Sequence, residues 1–210
     1  MISAVHNAIV KFARVVYNKS RRKDGASAFR QNAYREIIKV ASALEVANEF
    51  LSLPEAQGRL TQMKLQKLAF IADGWNWVIN ENDLVDESAE AWNYGPVFKA
   101  LYDHTKFFGS SPIPRGRLIT PDDSEVMRFF GGKSKKASPY RAELSPAQKS
   151  VIQHVWSRYG GLSAIELSQL THRPGTPWFN AFSRGKNSVI SLNDIKKHYQ
   201  ELATDAEKAA

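Results

Sequence analysis

Residues 60–75 of this 210-residue chain read LTQMKLQKLAFIADGW, and the spacing of their apolar side chains predicts a helix. Apolar positions three and four residues apart lie on one face of an α-helix. Here they are Leu65, Leu68, Ala72, Trp75 and Ile79. Thr61 can cap the first turn with its side-chain oxygen. Ile71 and Val78 widen the apolar face, so we expect this helix to be largely buried.

Similar signals predict helices in the last third of the chain. Ser145-Pro146 can open a helix that Gly160-Gly161 closes. Ser163 and Glu166 have the spacing of a capping box, which predicts the start of another helix running to about Thr171.

Two further helices complete this prediction. Pro177 can occupy the first turn of a short helix, and Ser191–Asp194 resembles a second capping box that opens a helix to about Leu202. We therefore expect a mainly α protein. Its compact domain should have about six or seven helices and at most one or two short strands, with an N-terminal helical arm.

The N-terminal region shows two amphipathic patterns. Val5, Ile9, Phe12 and Val16 predict a helix over about residues 3–18, which the segment NKSRRKDGAS then breaks. A second apolar stripe begins at Phe29 and predicts a long helix, kinked near Ser42, that ends before Pro54. These faces allow packing on the core, on a second copy of the chain or on a partner.

The middle of the chain gives weaker signals. AEAWNYGPV, residues 89–97, predicts a short extended segment that turns into a helix over about 97–107, with Pro96 near its first turn. Residues 108–143 are rich in Gly, Ser, Pro and Lys and read as a loop, with RLIT as the only strand-like piece.

Composition excludes several classes of site. The chain has no cysteine, so it can have neither a disulfide nor a cysteine-ligated metal. No uninterrupted apolar run reaches the roughly 18–20 residues of a membrane span, and no signal peptide is recognisable. We expect a cytoplasmic protein with no membrane partner.

Motifs for catalysis or cofactors are also missing. The five histidines do not have the spacing of zinc ligands, and neither a nucleophile elbow nor a dinucleotide-binding glycine pattern occurs. GGKS lacks the first glycine of a P-loop. We predict no catalytic, cofactor or metal site, although an enzyme built from scattered residues such as His104 or His172 stays open.

Positive charge is concentrated at the N-terminus. Residues 1–42 contain nine basic and two acidic residues, which accounts for +7 of the chain's net +8. This asymmetry predicts an arm with its own function, while a solvated, charged helix face is the alternative.

THRPGTPWF, residues 171–179, concentrates residue types found in active sites and in structural corners alike. His172 falls at a predicted helix C-terminus, where the helix dipole and free carbonyls favour a histidine. We interpret the stretch as a structural corner, with a partner contact as the alternative for His172.

Four stretches together resemble the Panacea domain of SocA-like antitoxins. They are ANEFLSL (47–53), LTQMKLQKLAFIADGW (60–75), EAWNYGPV (90–97) and SAIELSQLTHRPGTPW (163–178). The resemblance spans about residues 43–202. It divides the chain into a basic arm (1–42), this domain and a polar tail (203–210). Residues 173–175 depart from the family pattern between its T-H and P-W elements, and residues 108–143 do not align.

The resemblance implies a helical antitoxin that binds and neutralises a toxin protein of a bacterial or phage toxin–antitoxin pair. It also implies a framework role for the motif residues, which shape corners and bury the helices that follow. These residues are Trp75, Trp92, Tyr94, Gly95, Pro96, His172, Pro177 and Trp178.

The candidate partner-binding surface is the arm, in which a helix would lie in a groove of the toxin. Its proposed contact residues are Val5, Ile9, Phe12, Arg14, Val16, Lys19, Arg21, Arg22 and Lys23. The alternative is a nucleic-acid-binding regulator in which the same basic residues contact phosphates, although no clean helix-turn-helix is visible.

Overall fold

The structure is a computed structural model that describes residues 40–115, 118 and 139–208. This part of the chain contains seven α-helices and one two-stranded hairpin, which confirms the mainly α prediction. The helix expected over 3–18 and most of the 108–143 loop lie outside the described residues. The division into arm, domain and tail stays a prediction.

The first described helix, α1 (Ala43–Ser52), begins at a capping box. The Ser42 side chain accepts from the Glu45 backbone N–H, and the Glu45 carboxylate accepts from the Ser42 N–H. Ser42 is extended, and Ala41 before it pairs with Val85 in a parallel bridge. The prediction of one helix running through a kink at Ser42 is therefore wrong, because the S-x-x-E pattern starts a new helix there.

The central helix is α2 (Gln62–Asn80). The Thr61 side chain caps it by accepting from the Lys64 N–H, as predicted. Glu81 ends it in the left-handed conformation, with φ 56°. Most of α2 is buried, which confirms the expectation from its wide apolar face.

A short antiparallel hairpin follows, formed by β1 (Glu90–Trp92) and β2 (Gly95–Val97). Helix α3 (Lys99–Thr105) begins later than predicted, and Pro96 pairs with Ala91 in the hairpin rather than entering the helix. The Gln66 amide holds Phe98 extended, because it accepts from the Phe98 N–H at 2.9 Å and donates to the Phe98 carbonyl at 3.0 Å.

Four helices form the C-terminal half. They are α4 (Pro146–Tyr159), α5 (Ala164–Thr171), α6 (Pro177–Arg184) and α7 (Leu192–Lys208). The predicted caps of α4 and α5 are confirmed, as is Pro177 in the first turn of α6.

Helix α7 runs beyond its predicted end at about Leu202 and continues to Lys208. No glycine or proline stops the helix there. Lys208 also lies 3.7 Å from Asp205, one turn earlier.

One hydrophobic core joins these elements around α2, which packs against the other helices α1, α3, α4, α5 and α7 and against β2. The contact with α7 is very close at Gly74, where an added Cβ would overlap the Cε2, Cδ2 and Cζ atoms of the Tyr199 ring. The Trp75 ring meets the Tyr199 ring edge-on at 5.4 Å. Within the described ranges, no helix is long and apolar enough to cross a bilayer.

Candidate functional site: a clamped hairpin beside an apolar groove

Helix α2 carries buried polar side chains as well as its apolar face. A polar group costs free energy in the interior unless it is hydrogen-bonded. Five such side chains on α2 bond to the backbone of a neighbouring segment. They are Lys64, Gln66, Lys67, Asp73 and Asn76.

Lys67 is the most unusual of these residues, because its side chain is only 1% exposed. Its Nζ donates to the Pro96 carbonyl at 3.0 Å. Burial disfavours the charged ammonium and lowers the pKa of Lys67 to about 7. The amine therefore holds β2 in place by a hydrogen bond, and near neutral pH it is only partly protonated.

Gly95 lies directly against this amine. Its φ is +105°, and an added Cβ would be 2.5 Å from Lys67 Cε and 2.9 Å from Thr171 Oγ1. Only glycine provides both the backbone conformation and the space. Residues from α2, the hairpin and the end of α5 thus meet at one point.

Three more side chains hold successive carbonyls of the hairpin. Trp178 Nε1 donates to the Trp92 carbonyl at 2.8 Å. His172 Nε2 lies 3.1 Å from the Asn93 carbonyl, and Ser168 Oγ donates to the Tyr94 carbonyl at 3.0 Å. We call Lys67, Ser168, His172 and Trp178 the hairpin clamp.

His172 joins the corner to the hairpin. It is the C-cap residue of α5, and its ring lies 3.6 Å from the Trp178 ring. Its Nε2 contacts the Asn93 carbonyl at 3.1 Å, and its Nδ1 contacts both the carbonyl and the hydroxyl of Ser168.

Tyr94, at the hairpin tip, is 73% exposed. The clamp binds its main-chain carbonyl and leaves its side chain pointing to solvent. Ile165 is 66% exposed and lies one turn before Ser168 on α5. The remaining framework residues Trp75, Gly95, Pro96, Pro177 and Trp178 are buried, and Trp92 and His172 are half-buried.

An apolar groove of about 600 Å³ lies on the other side of the 171–178 corner. Helices α2, α4, α5 and α7 form its walls, and Arg173–Trp178 form part of its edge. Trp178 and Thr171 line the groove while also contacting the hairpin or Gly95. The corner therefore supports two surfaces at once.

Ionisable groups at the groove are mainly basic. Arg158, Arg173 and His198 line it, and Glu166 is the one acidic residue among its lining residues. Hydrogen bonds from Ser163 lower the pKa of Glu166, so this side chain is anionic. Burial raises the pKa of Tyr199, whose hydroxyl is therefore neutral.

Asp73, another buried ionisable group on α2, has a structural task. Its Oδ1 accepts from the backbone N–H groups of Leu84 at 2.9 Å and Val85 at 3.0 Å. Burial raises the pKa of Asp73 to about 6, against these hydrogen bonds, which lower it. Within the described residues no group of three or more His, Asp or Glu side chains could hold a metal ion.

The sequence-based site and the structural site are different. The arm residues Val5, Ile9, Phe12, Arg14, Val16, Lys19, Arg21, Arg22 and Lys23 lie outside the described residues. Sequence reasoning missed Lys67 and Ser168 as parts of the clamp. One signal in the sequence could have identified Lys67: the apolar face of α2 is so wide that a lysine at this position is expected to be buried.

Comparisons with known proteins give one match. The family model described as "Antitoxin SocA-like, Panacea domain" matches residues 65–179, which is more than half of the chain. The matched range contains the hairpin and all four clamp residues. Searches of curated proteins and of solved structures give no match.

Proposed function

Because the chain belongs to the SocA-like antitoxin family with a Panacea domain, we propose that it neutralises a toxin protein by binding it directly, without catalysis. The toxin would come from the same bacterial or phage toxin–antitoxin pair, and the complex would form in the cytoplasm.

The observation that carries this proposal is the clamped hairpin with Tyr94 at its tip. Four side chains hold its backbone, and the exposed ring of Tyr94 projects from this support. Tyrosine is enriched among the residues that dominate protein–protein binding energy. A pre-ordered support reduces the entropy lost on binding. This arrangement suits recognition of a protein surface.

The test is co-expression of the full chain with the toxin encoded by the neighbouring gene, followed by growth measurement and affinity purification. We expect rescue of growth and a stable complex. Tyr94→Ala should weaken the complex without lowering the melting temperature. Phe107→Ala is the matched control, because Phe107 is similarly exposed at 75% but lies beyond α3. The proposal fails if the wild-type chain neither rescues growth nor co-purifies with the toxin.

We further propose that the N-terminal arm contributes to toxin binding through its apolar stripe and its basic residues. Charges of this kind steer association and fix orientation. Deletion of residues 1–25 should then reduce neutralisation in the same growth assay. Undiminished rescue by the truncated chain would remove the arm from the interface.

A second candidate function is nucleic-acid binding by the arm, supported by its charge of +7. Phosphate contacts release counterions, so the affinity would fall steeply with salt. Gel-shift assays with the operon's promoter DNA at about 50 and 200 mM salt separate specific binding from non-specific attraction. Binding that disappears at higher salt and shows no preference for the promoter would reduce this function to non-specific attraction.

A further inference from the structure

The apolar groove behind the corner is not explained by the hairpin clamp. Its walls include Phe70, Leu162, Leu170 and Leu202, of which the three leucines are half-buried rather than fully enclosed. A volume of about 600 Å³ falls within the roughly 300–1,000 Å³ of typical ligand pockets. The groove can therefore accept several apolar side chains.

The charge at the groove indicates which kind of segment fits. Arg158 and Arg173 outnumber Glu166 among the lining residues. Opposite charges across an interface favour one partner, and like charges disfavour another. The groove therefore suits apolar side chains that are flanked by carboxylates.

This charge argues against two other occupants. The chain's own arm has an apolar stripe, but its net charge is +7, the same sign as the groove surplus. A second copy of the chain would bring a net charge of +8. An acidic segment of a different protein would not be repelled by the positive charge of the groove.

The groove is also continuous with the proposed recognition surface. The Trp178 ring lines the groove while its Nε1 holds the Trp92 carbonyl of the hairpin. A partner bound at Tyr94 would therefore lie against the same corner that edges the groove.

We propose that the groove receives an amphipathic segment of the toxin, with large apolar side chains in the groove and carboxylates near Arg158 and Arg173. This inference rests on the proposed antitoxin function and names the part of the toxin that is recognised. The mode is an amphipathic helix in a groove, with anchors three or four residues apart.

The first test is photo-crosslinking in the purified complex of the full chain with its co-expressed toxin. p-Benzoylphenylalanine replaces Leu202 in the groove or, as a control, the exposed Phe107. We expect the groove position to crosslink to a toxin segment that has apolar residues three or four positions apart and Asp or Glu between them. Crosslinks to residues 1–39, to a second copy, or to a basic toxin segment would overturn the proposal.

The second test uses charge reversal. Arg173→Glu should weaken toxin affinity by about tenfold or more, since it replaces an attraction with a repulsion. Lys149→Glu is the matched control. Lys149 is an exposed lysine on α4, nine residues before Arg158 and therefore about 14 Å away along the helix. Equal melting temperatures of the two variants would show that both are folded.

The outcomes separate the two proposals. If the wild-type chain forms no complex with the toxin, the antitoxin function fails, and the groove proposal fails with it. If the wild-type complex forms but Arg173→Glu binds as tightly as Lys149→Glu, only the groove proposal is overturned.

Discussion

The Lys67 amine and the Pro96 carbonyl are 3.0 Å apart in the protein interior, and Gly95 packs against both Lys67 and Thr171. This contact joins the central helix to the hairpin and to the end of α5. An amine serves here as a hydrogen-bond donor rather than as a surface charge. Its titration should therefore be visible in the stability of the whole domain.

Lys67 should make the stability rise with pH. Burial lowers its folded pKa to about 7, whereas the unfolded chain has the ordinary value of 10.5. Between these values the unfolded state binds more protons, so the free energy of unfolding increases as the pH rises from about 7 to 10. The slope from this site is at most about 1.4 kcal/mol per pH unit. Urea unfolding at several pH values measures it.

Two variants isolate the Lys67 contribution. Lys67→Met removes the titrating amine and keeps the length of the side chain, so it should flatten the profile over this pH window. Lys149→Met, at an exposed site, should leave the profile unchanged. An unaltered slope in Lys67→Met would contradict the assignment.

Asp73 should act in the opposite direction and at lower pH. Its folded pKa is raised from 3.8 to about 6, so the folded state binds more protons between these values. The stability it contributes is complete below about pH 4 and is lost as the pH rises through 6. Asp73→Asn should remove this pH dependence, because an amide does not titrate. The amide oxygen can still accept from the N–H groups of Leu84 and Val85.

Asp73→Ala tests the hydrogen bonds instead of the charge. It leaves the buried N–H groups of Leu84 and Val85 without their acceptor, at a cost of about 1–3 kcal/mol for each. In thermal unfolding, the melting temperature of Asp73→Ala should be well below that of Asp73→Asn at every pH. Equal stabilities would show that water or a rearranged backbone replaces the carboxylate.

Gly95→Ala should destabilise the domain by more than the cost of placing an alanine at a positive φ. The new Cβ would be 2.5 Å from Lys67 Cε, and overpacking of this kind costs about 1–3 kcal/mol. Gly58→Ala is the control, because Gly58 also has a positive φ, +69°, but has no atom within 4 Å of the added Cβ. Chemical denaturation should show the larger loss for Gly95→Ala.

Gly74→Ala should reverse the usual effect of such a change. In a helix interior, alanine is normally more stable than glycine by about 0.5–1 kcal/mol. At Gly74 the new Cβ would clash with atoms of the Tyr199 ring, so we expect destabilisation and a looser contact between α2 and α7. A melting temperature above that of the wild type would show that the two helices separate without cost.

Local signals in the sequence predicted much of the fold. Thr61, Ser145 and Ser163 were identified as caps because capping depends on residues within one turn. The same logic applied at Ser42 and Glu45 would have given the correct start of α1. The apolar stripe that continues through this point obscured the cap.

The clamp could not be predicted in this way, because it depends on long-range contacts. Lys67 and Pro96 are 29 residues apart, and Trp178 reaches the carbonyl of Trp92 across 86 residues. At the hairpin the sequence predicts the approach to a helix, since Pro96 suits a first helical turn as well as a strand pair. Periodicity shows which residues are buried but not which backbone they contact.

All four clamp contacts on the hairpin are made to its main-chain carbonyls, at Trp92, Asn93, Tyr94 and Pro96. Every residue has a carbonyl, so the clamp does not read the side chains of Asn93 and Tyr94. Other residues can therefore replace Asn93 and Tyr94 while the hydrogen bonds to their main-chain carbonyls stay the same. A library randomised at Asn93 and Tyr94 should therefore change the side chains that the hairpin tip presents, with little effect on folding.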